Sequence, residues 1–271
     1  MTLEVVPHLL YEPEDSGILW IKFNRPERMN ALLGDSATKL VEYMRAGDDD
    51  PNIRVIVVTG VGRAFCAGID IGGRAGAGER PTRPTGPDAS RQTFLYHTQV
   101  PFYNISQIRK PTIAMINGAA VGMGMDISLH CDLRVGCENT RFFTYQNVGQ
   151  IIENGGSYWL PHIAGLGHAL ELLFTGGFLQ AQQAYEWGVL NKLVPSDELE
   201  DETRALCDKI IKSPPLVQWV GKRILRRALS STLEATLELC AHSSGILSQA
   251  EDSVEARRAF GEKRAPVFKG R

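Results

Sequence analysis

The sequence predicts an α/β core followed by a helical C-terminal third. Two short apolar runs rich in β-branched residues, 18–23 (ILWIKF) and 55–60 (VIVVTG), read as buried strands. The segment 36–45 between them has helical spacing, and strand–helix–strand order is the mark of an α/β core. After residue 178 the apolar pattern becomes helical throughout.

Taken in order, helix 36–45 places Leu40, Val41 and Met44 on one face, and Pro51-Asn52 marks its end. A third strand, 112–116, follows the break at Lys110-Pro111, and a fourth covers 132–135. A helix over 123–131 lies between them. Further helices cover 180–187, closed by Gly188, and 197–212. Another starts at Pro214-Pro215, with proline at its favoured first position. Two more cover 232–249 and 252–263. Residues 72–91 hold five Gly, three Pro and four Arg and read as one long flexible loop, either a plain surface loop or a lid over a site. No linker and no sequence repeat stands out.

The chain has 271 residues, with 29 Lys+Arg against 31 Asp+Glu, a formal net charge of −2. That length buries a core without disulfide staples. The charge balance argues against a nucleic-acid partner, which needs a basic field. The five cysteines include no CxxC pair, and a reduced, cytoplasmic setting is expected. No run reaches the roughly 18 apolar residues of a membrane span, so no membrane partner is expected.

Several chemistries are excluded by pattern. Gly60-Val61-Gly62 follows a strand, but Phe65 stands where a dinucleotide fingerprint needs its third glycine. GxxxxGK[ST], HExxH and GxSxG are all absent, and the six histidines are scattered. Two glycine-containing segments are more informative. One is 63–71 (RAFCAGIDI) and the other 116–127 (INGAAVGMGMDI), and each follows a strand. Small residues let a ligand approach the backbone closely, and a helix N-terminus offers unpaired N–H groups. Side by side, two such loops either form an oxyanion hole or pack strand against helix.

These two segments, extended to KPTIAMINGAAVGMGMDISLHCDLRV, resemble the signature of the crotonase (enoyl-CoA hydratase/isomerase) superfamily. Further matches are NRPERMNAL at 24–32, LPHIAG at 160–165, ELLFTG at 171–176, AYEWGVLN at 184–191 and EDSVEARRAFGEKRAPVF at 251–268. They run in order over about residues 16–269. The resemblance implies a spiral of repeated ββα units over 1–195 and a helical oligomerisation region over 196–271, assembling as a homotrimer or a hexamer. It implies acyl-CoA thioester substrates and no other cofactor, coenzyme A being part of the substrate.

By matched position, the oxyanion donors are the backbone N–H groups of Ile69 and Met123, the latter standing where the family has glycine. Contacts to the CoA moiety fall to Asn30, Ala31, Ala67, Gly68 and Asp70. Phe260 and Lys263 match a C-terminal segment that reaches a neighbouring subunit's CoA. Asp126, one helical turn after Met123, matches the first catalytic Glu of hydratases, and dienoyl-CoA isomerases carry Asp there. The second hydratase Glu is missing from TYQNVG at 144–149, where Gln146 or Asn147 takes its place. Glu153 is spaced instead like the catalytic acid of one enoyl-CoA isomerase subgroup, and like acids of dienoyl-CoA isomerases and aryl-CoA dehalogenases.

Glu153 is therefore expected as principal base and proton shuttle, with Asp126 as second acid/base. The plainer readings are an Asp settling a helix dipole and a loop carboxylate capping the helix near Ser157. Tyr145, Tyr158 and Trp159, with Phe142 and Phe143, either shape the acyl pocket or pack in the core. The expected reaction is a double-bond shift in an enoyl- or dienoyl-CoA. The alternatives are hydration of a 2-enoyl-CoA, ring hydrolysis or dehalogenation, and a non-catalytic CoA-binding scaffold.

Overall fold

The computed structural model describes residues 3–70, 86–95, 99–144, 146 and 149–271. Two parallel-type sheets are threaded in alternation by one chain. The first contains β1 (Leu9–Pro13), β2 (Ile18–Phe23), β3 (Val55–Gly60), β5 (Thr112–Ile116), β7 (Leu133–Cys137) and β10 (Lys192–Val194), in the order β1-β2-β3-β5-β7-β10. The hairpin pair β1–β2 is antiparallel, and every later neighbour pair is parallel. The second sheet contains β4 (Ala64–Cys66), β6 (Ala119–Val121), β8 (Arg141–Phe143) and β9 (Leu179–Gln180), with only β8–β9 antiparallel. Each of the pairs β3/β4, β5/β6 and β7/β8 thus gives one strand to each sheet. The ββα unit repeats in the backbone although no residue pattern repeats with it.

Strands β2, β3 and β5 are covered on both faces. Leu19, Ile21 and Phe23 of β2, Ile56 and Val58 of β3, and Ala114 and Ile116 of β5 enter the main core. Their alternates Ile18, Trp20, Val55, Val57, Ile113 and Met115 pack with Leu199 and Cys207 of α8 (Leu199–Ile211). Burial on both faces is why these strands are continuous apolar runs rather than alternating ones. Helix α1 (Ser36–Asp49) buries Leu40, Val41 and Met44 as its spacing predicts and runs one turn past the predicted end. All five cysteines are free.

Helix α2 (Pro87–Phe94) takes up the end of the segment 72–91 that reads as loop, with Pro87 at its first turn. Residues 72–85 of that segment lie outside the described residues. Helix α3 (Val100–Ser106) leads into β5, and α4 (Met123–His130) follows β6 directly. Helices α5 (Gly156–Ala164), α6 (Leu166–Thr175) and α7 (Ala181–Glu186) lead to β10. After α8 come α9 (Pro215–Ala228), α10 (Leu233–Leu247) and α11 (Glu251–Glu262). Among the described residues, no helix is long and apolar enough to cross a membrane.

Two glycines let the β6–α4 segment meet β4 backbone to backbone. A Cβ at Gly118 would collide with the Arg63 carbonyl, and one at Gly124 with the Cys66 carbonyl. Gly124 is the second residue of α4, so it sets how closely that helix approaches β4. Gly124→Ala should therefore cost about 1–3 kcal/mol by overpacking, seen as a fall in Tm of several degrees in thermal unfolding. An unchanged Tm would contradict this contact.

Candidate active site

The two glycine segments identified in the sequence are neighbours in space. β4 and β6 pair in parallel, Ala64 opposite Ala119 and Cys66 opposite Ala120, with an irregularity between. β6 turns into α4 through Gly122, whose φ of 52° and ψ of −117° favour glycine. Met123 is the first residue of α4, so its N–H has no acceptor within the helix and stands at the positive end of the helix dipole. The Asp126 N–H closes the first turn on the Gly122 carbonyl at 2.9 Å.

The segment after β4 is zipped to residues 29–32. Ala67 N–H donates to Met29 (3.0 Å), Leu32 N–H to Gly68 (2.7 Å) and Asp70 N–H to Leu32 (2.9 Å). Leu32 and Ile69 form a parallel bridge. In such a bridge Leu32 makes both bonds, so the Ile69 N–H points to the opposite side. Ile69 and Met123 line one small cavity of about 40 Å³.

Asn30 fixes this corner. Its backbone is left-handed (φ 58°) and its side chain is 1% exposed. The carboxamide donates to the Val61 and Ala64 carbonyls and accepts from the Arg25 N–H, which occupies both of its N–H groups inside the fold. Its side chain therefore braces the loop and does not present a group to a ligand. Arg25 bonds Asp70 at 2.9 Å and the Ala31 carbonyl at 2.6 Å. Ala31, Ala67 and Gly68 thus belong to the braced edge beside Ile69.

Both predicted acids line the same cavity. Asp126 is 2% exposed. Its carboxylate accepts the Asn154 side-chain amide at 3.2 Å, the Gly156 N–H at 3.0 Å and the Asn154 N–H. Burial outweighs these donors and pushes its pKa up to about 7. Burial also raises the pKa of Glu153. The carboxylate at the N-terminus of α5 is that of Asp126, since Gly156 is the first residue of that helix. Helix capping near Ser157 is thus performed from α4, not by Glu153. A Cβ at Gly156 would collide with Asp126 Oδ1, so glycine is needed there.

Behind the acids lies a support that the sequence did not reveal. The indole N–H of Trp159 donates to His130 Nδ1 at 3.1 Å. An indole can only donate, so Nδ1 accepts and Nε2–H donates to the Asn154 carbonyl at 2.8 Å. His130 is thereby neutral, and burial lowers its pKa to about 4. The chain Trp159–His130–Asn154–Asp126 links α5 to α4 across the loop that carries Glu153.

Other predicted residues fall elsewhere. Tyr158 and Trp159 line a larger neighbouring cleft rather than this cavity. Phe142 is core, while Phe143 lines the cavity and packs on Phe178. Tyr145 and Asn147 lie outside the described residues. Phe260 is 88% exposed, Lys263 ends α11 in a left-handed conformation, and neither lines the cavity.

The raised pKa of Asp126 has a sign. Between about pH 4 and 7 the folded chain holds a proton that the unfolded chain has lost, so this group's contribution to stability falls as pH rises. His130 opposes it, because its low folded pKa costs stability as pH falls from 6.5 toward about 4. Removing the carboxyl isolates its share. Asp126→Asn should gain on the native chain by on the order of 3 kcal/mol between about pH 4 and about pH 8 in urea unfolding. A difference that stays flat with pH contradicts the burial of this acid.

The enoyl-CoA hydratase/isomerase family model matches residues 13–271. (E)-benzylidenesuccinyl-CoA hydratase of Thauera aromatica is 34% identical over 272 residues, covering 100% of this chain and 99% of that protein. The 1,2-epoxyphenylacetyl-CoA isomerase of Escherichia coli K12 is 30% identical over 263 residues, covering 95% and 97%. The crystal structure of an enoyl-CoA hydratase from Bacillus anthracis superposes with a TM-score of 0.88 at 28% identity, covering 97% of this chain and 100% of that one. The chain belongs to the enoyl-CoA hydratase/isomerase family, whose members act on acyl-CoA thioesters.

Proposed function

We propose that the chain shifts a carbon–carbon double bond in an enoyl- or dienoyl-CoA through a thioester enolate. The observation that carries this reading is the meeting of Ile69, Met123, Asp126 and Glu153 around one cavity. A thioester α-proton is a weak acid, so its removal needs a positioned base and a place for the charge that develops on oxygen. Two backbone N–H groups answer the second need. Each such donor is worth about 2.7–4 kcal/mol of barrier, and the dipole of α4 adds to the share of Met123.

Glu153 answers the first need. It takes the proton from C2 of a 3-enoyl-CoA, the electron pair spreads onto the thioester oxygen, and the same carboxyl returns the proton at C4. The double bond then lies between C2 and C3, and no atom is gained or lost. The raised pKa of Glu153 matches this task, since a stronger base is needed to take a carbon-bound proton and must still give it back. Asp126, with a pKa near 7, is available in either protonation state as second acid/base. Ala31, Ala67, Gly68 and Asp70 form the edge toward the CoA moiety. In this reading Phe260 and Lys263 reach a neighbouring copy, and the exposed apolar residues of α10, Leu233, Leu237 and Ile246, face such copies in a trimer or hexamer.

Hydration of a 2-enoyl-CoA is the second reading. It is favoured by two carboxyl groups lining one cavity, and one relative is a hydratase by name. A panel of 2-enoyl-, 3-enoyl- and 3,5-dienoyl-CoAs separates the two. Isomer formation should exceed formation of 3-hydroxyacyl-CoA, and Glu153→Gln should lower kcat by about 10²–10⁴-fold. Faster hydration than isomerisation would replace the first reading with the second. Full activity in Glu153→Gln would remove Glu153 from the mechanism, and thioester binding without turnover would make the chain a scaffold.

A further inference from the structure

Glu153 and Asn154 line a second space as well as the catalytic cavity. It is a cleft of about 970 Å³ between α3, α5 and α9. Ile69 and Met123 do not line it. If the thioester oxygen sits on those two N–H groups, as the proposed function requires, an acyl chain that passes Glu153 leads into this cleft.

The charge lining the cleft is unbalanced. Five cationic side chains line it, against the single carboxylate of Glu153. Three of the five are committed within the fold. Arg109 pairs with Asp48 and Asp49, each at 2.8 Å. Lys222 and Arg226 share Asp132 at 2.6 and 2.8 Å. Arg223 and Arg227 are exposed, one turn apart on α9, and have no ion pair among the described residues. Side chains four residues apart on a helix stand side by side, so both guanidinium groups are presented together. The walls of the same cleft also carry Tyr103 and Tyr158, both exposed aromatic rings.

We infer that this cleft receives an acyl group with an apolar middle and a second carboxylate at its far end, held by Arg223 and Arg227. Guanidinium matches carboxylate as a two-pronged donor, and the covering substrate excludes water from the pair. The tyrosine rings flank the apolar stretch between thioester and carboxylate. A terminal methyl group at the same place would leave both cations facing an uncharged group.

The test compares kcat/KM for two series of enoyl-CoAs of matched chain length, one ending in methyl and one in carboxylate. The carboxylate series should be preferred by about 10- to 100-fold at its best length. In the double variant Arg223→Gln/Arg227→Gln that ratio should collapse toward one. A ratio taken within a single preparation does not depend on how much of it is folded. Turnover of both series without preference overturns the inference and leaves the enzymatic reading intact. A preference that survives the double variant, or a double variant that weakens both series equally, also overturns it. Turnover of neither series overturns the inference together with the reading on which it rests.

Discussion

The close approach of two backbones governs this structure. β4 and the β6–α4 segment touch through Gly118 and Gly124, where a single added carbon would strike a carbonyl oxygen. Gly60 completes the corner, since a Cβ there would meet the Ala64 and Phe65 carbonyls and the Asn30 amide. Glycine inside a helix costs about 0.5–1 kcal/mol relative to alanine, so Gly124 weakens α4 taken alone. What the fold gains is position. With no side chains between them, Ile69 and the first residue of α4 line one cavity, and in the proposed reaction charge developing there meets fixed donors rather than mobile water.

The acids depend on the same corner. Asp126 is buried because α4 is pressed inward, and burial is the main cause of its raised pKa. Its donors come from the loop 153–156, so α4 holds in place the loop that carries the other acid. His130, on the last turn of α4, fastens the same loop through the Asn154 carbonyl. Arg226 then ties α9 to this assembly by bonding the carbonyls of His130 and Ser106 and the carboxylate of Asp132. One helix thus lines the cavity with its first residue, holds one acid, fastens the loop of the second and anchors α9.

How much of this was legible follows from burial and length. β2, β3 and β5 are apolar on both faces, and the sequence-based bounds agree with the structure residue for residue. β4, β6 and β8 are three residues each and hold too few side chains for any period to show. The ββα repeat was invisible because it is a repeat of backbone path, filled by different side chains each time. At the site, Asp126 and Glu153 could be singled out only through the family resemblance. Asn30 was read as a ligand contact, yet its amide is consumed within the fold. Asn154 and His130 went unread because their roles depend on which carbonyls and carboxylates the fold brings to them. Lys263 and Phe260 stand in solvent on the single chain, and no pattern within one chain could bring them to its own cavity.

The central claim is that Ile69 and Met123 receive the thioester oxygen while Glu153 handles the proton. A crystal structure with a bound, unreactive acyl-CoA analogue tests it most directly. The account predicts that oxygen at about 2.7–3.1 Å from both nitrogens, with the Glu153 carboxylate against C2 of the acyl chain. A thioester oxygen bonded elsewhere, or Asp126 alone facing C2 with Glu153 turned away, would contradict it.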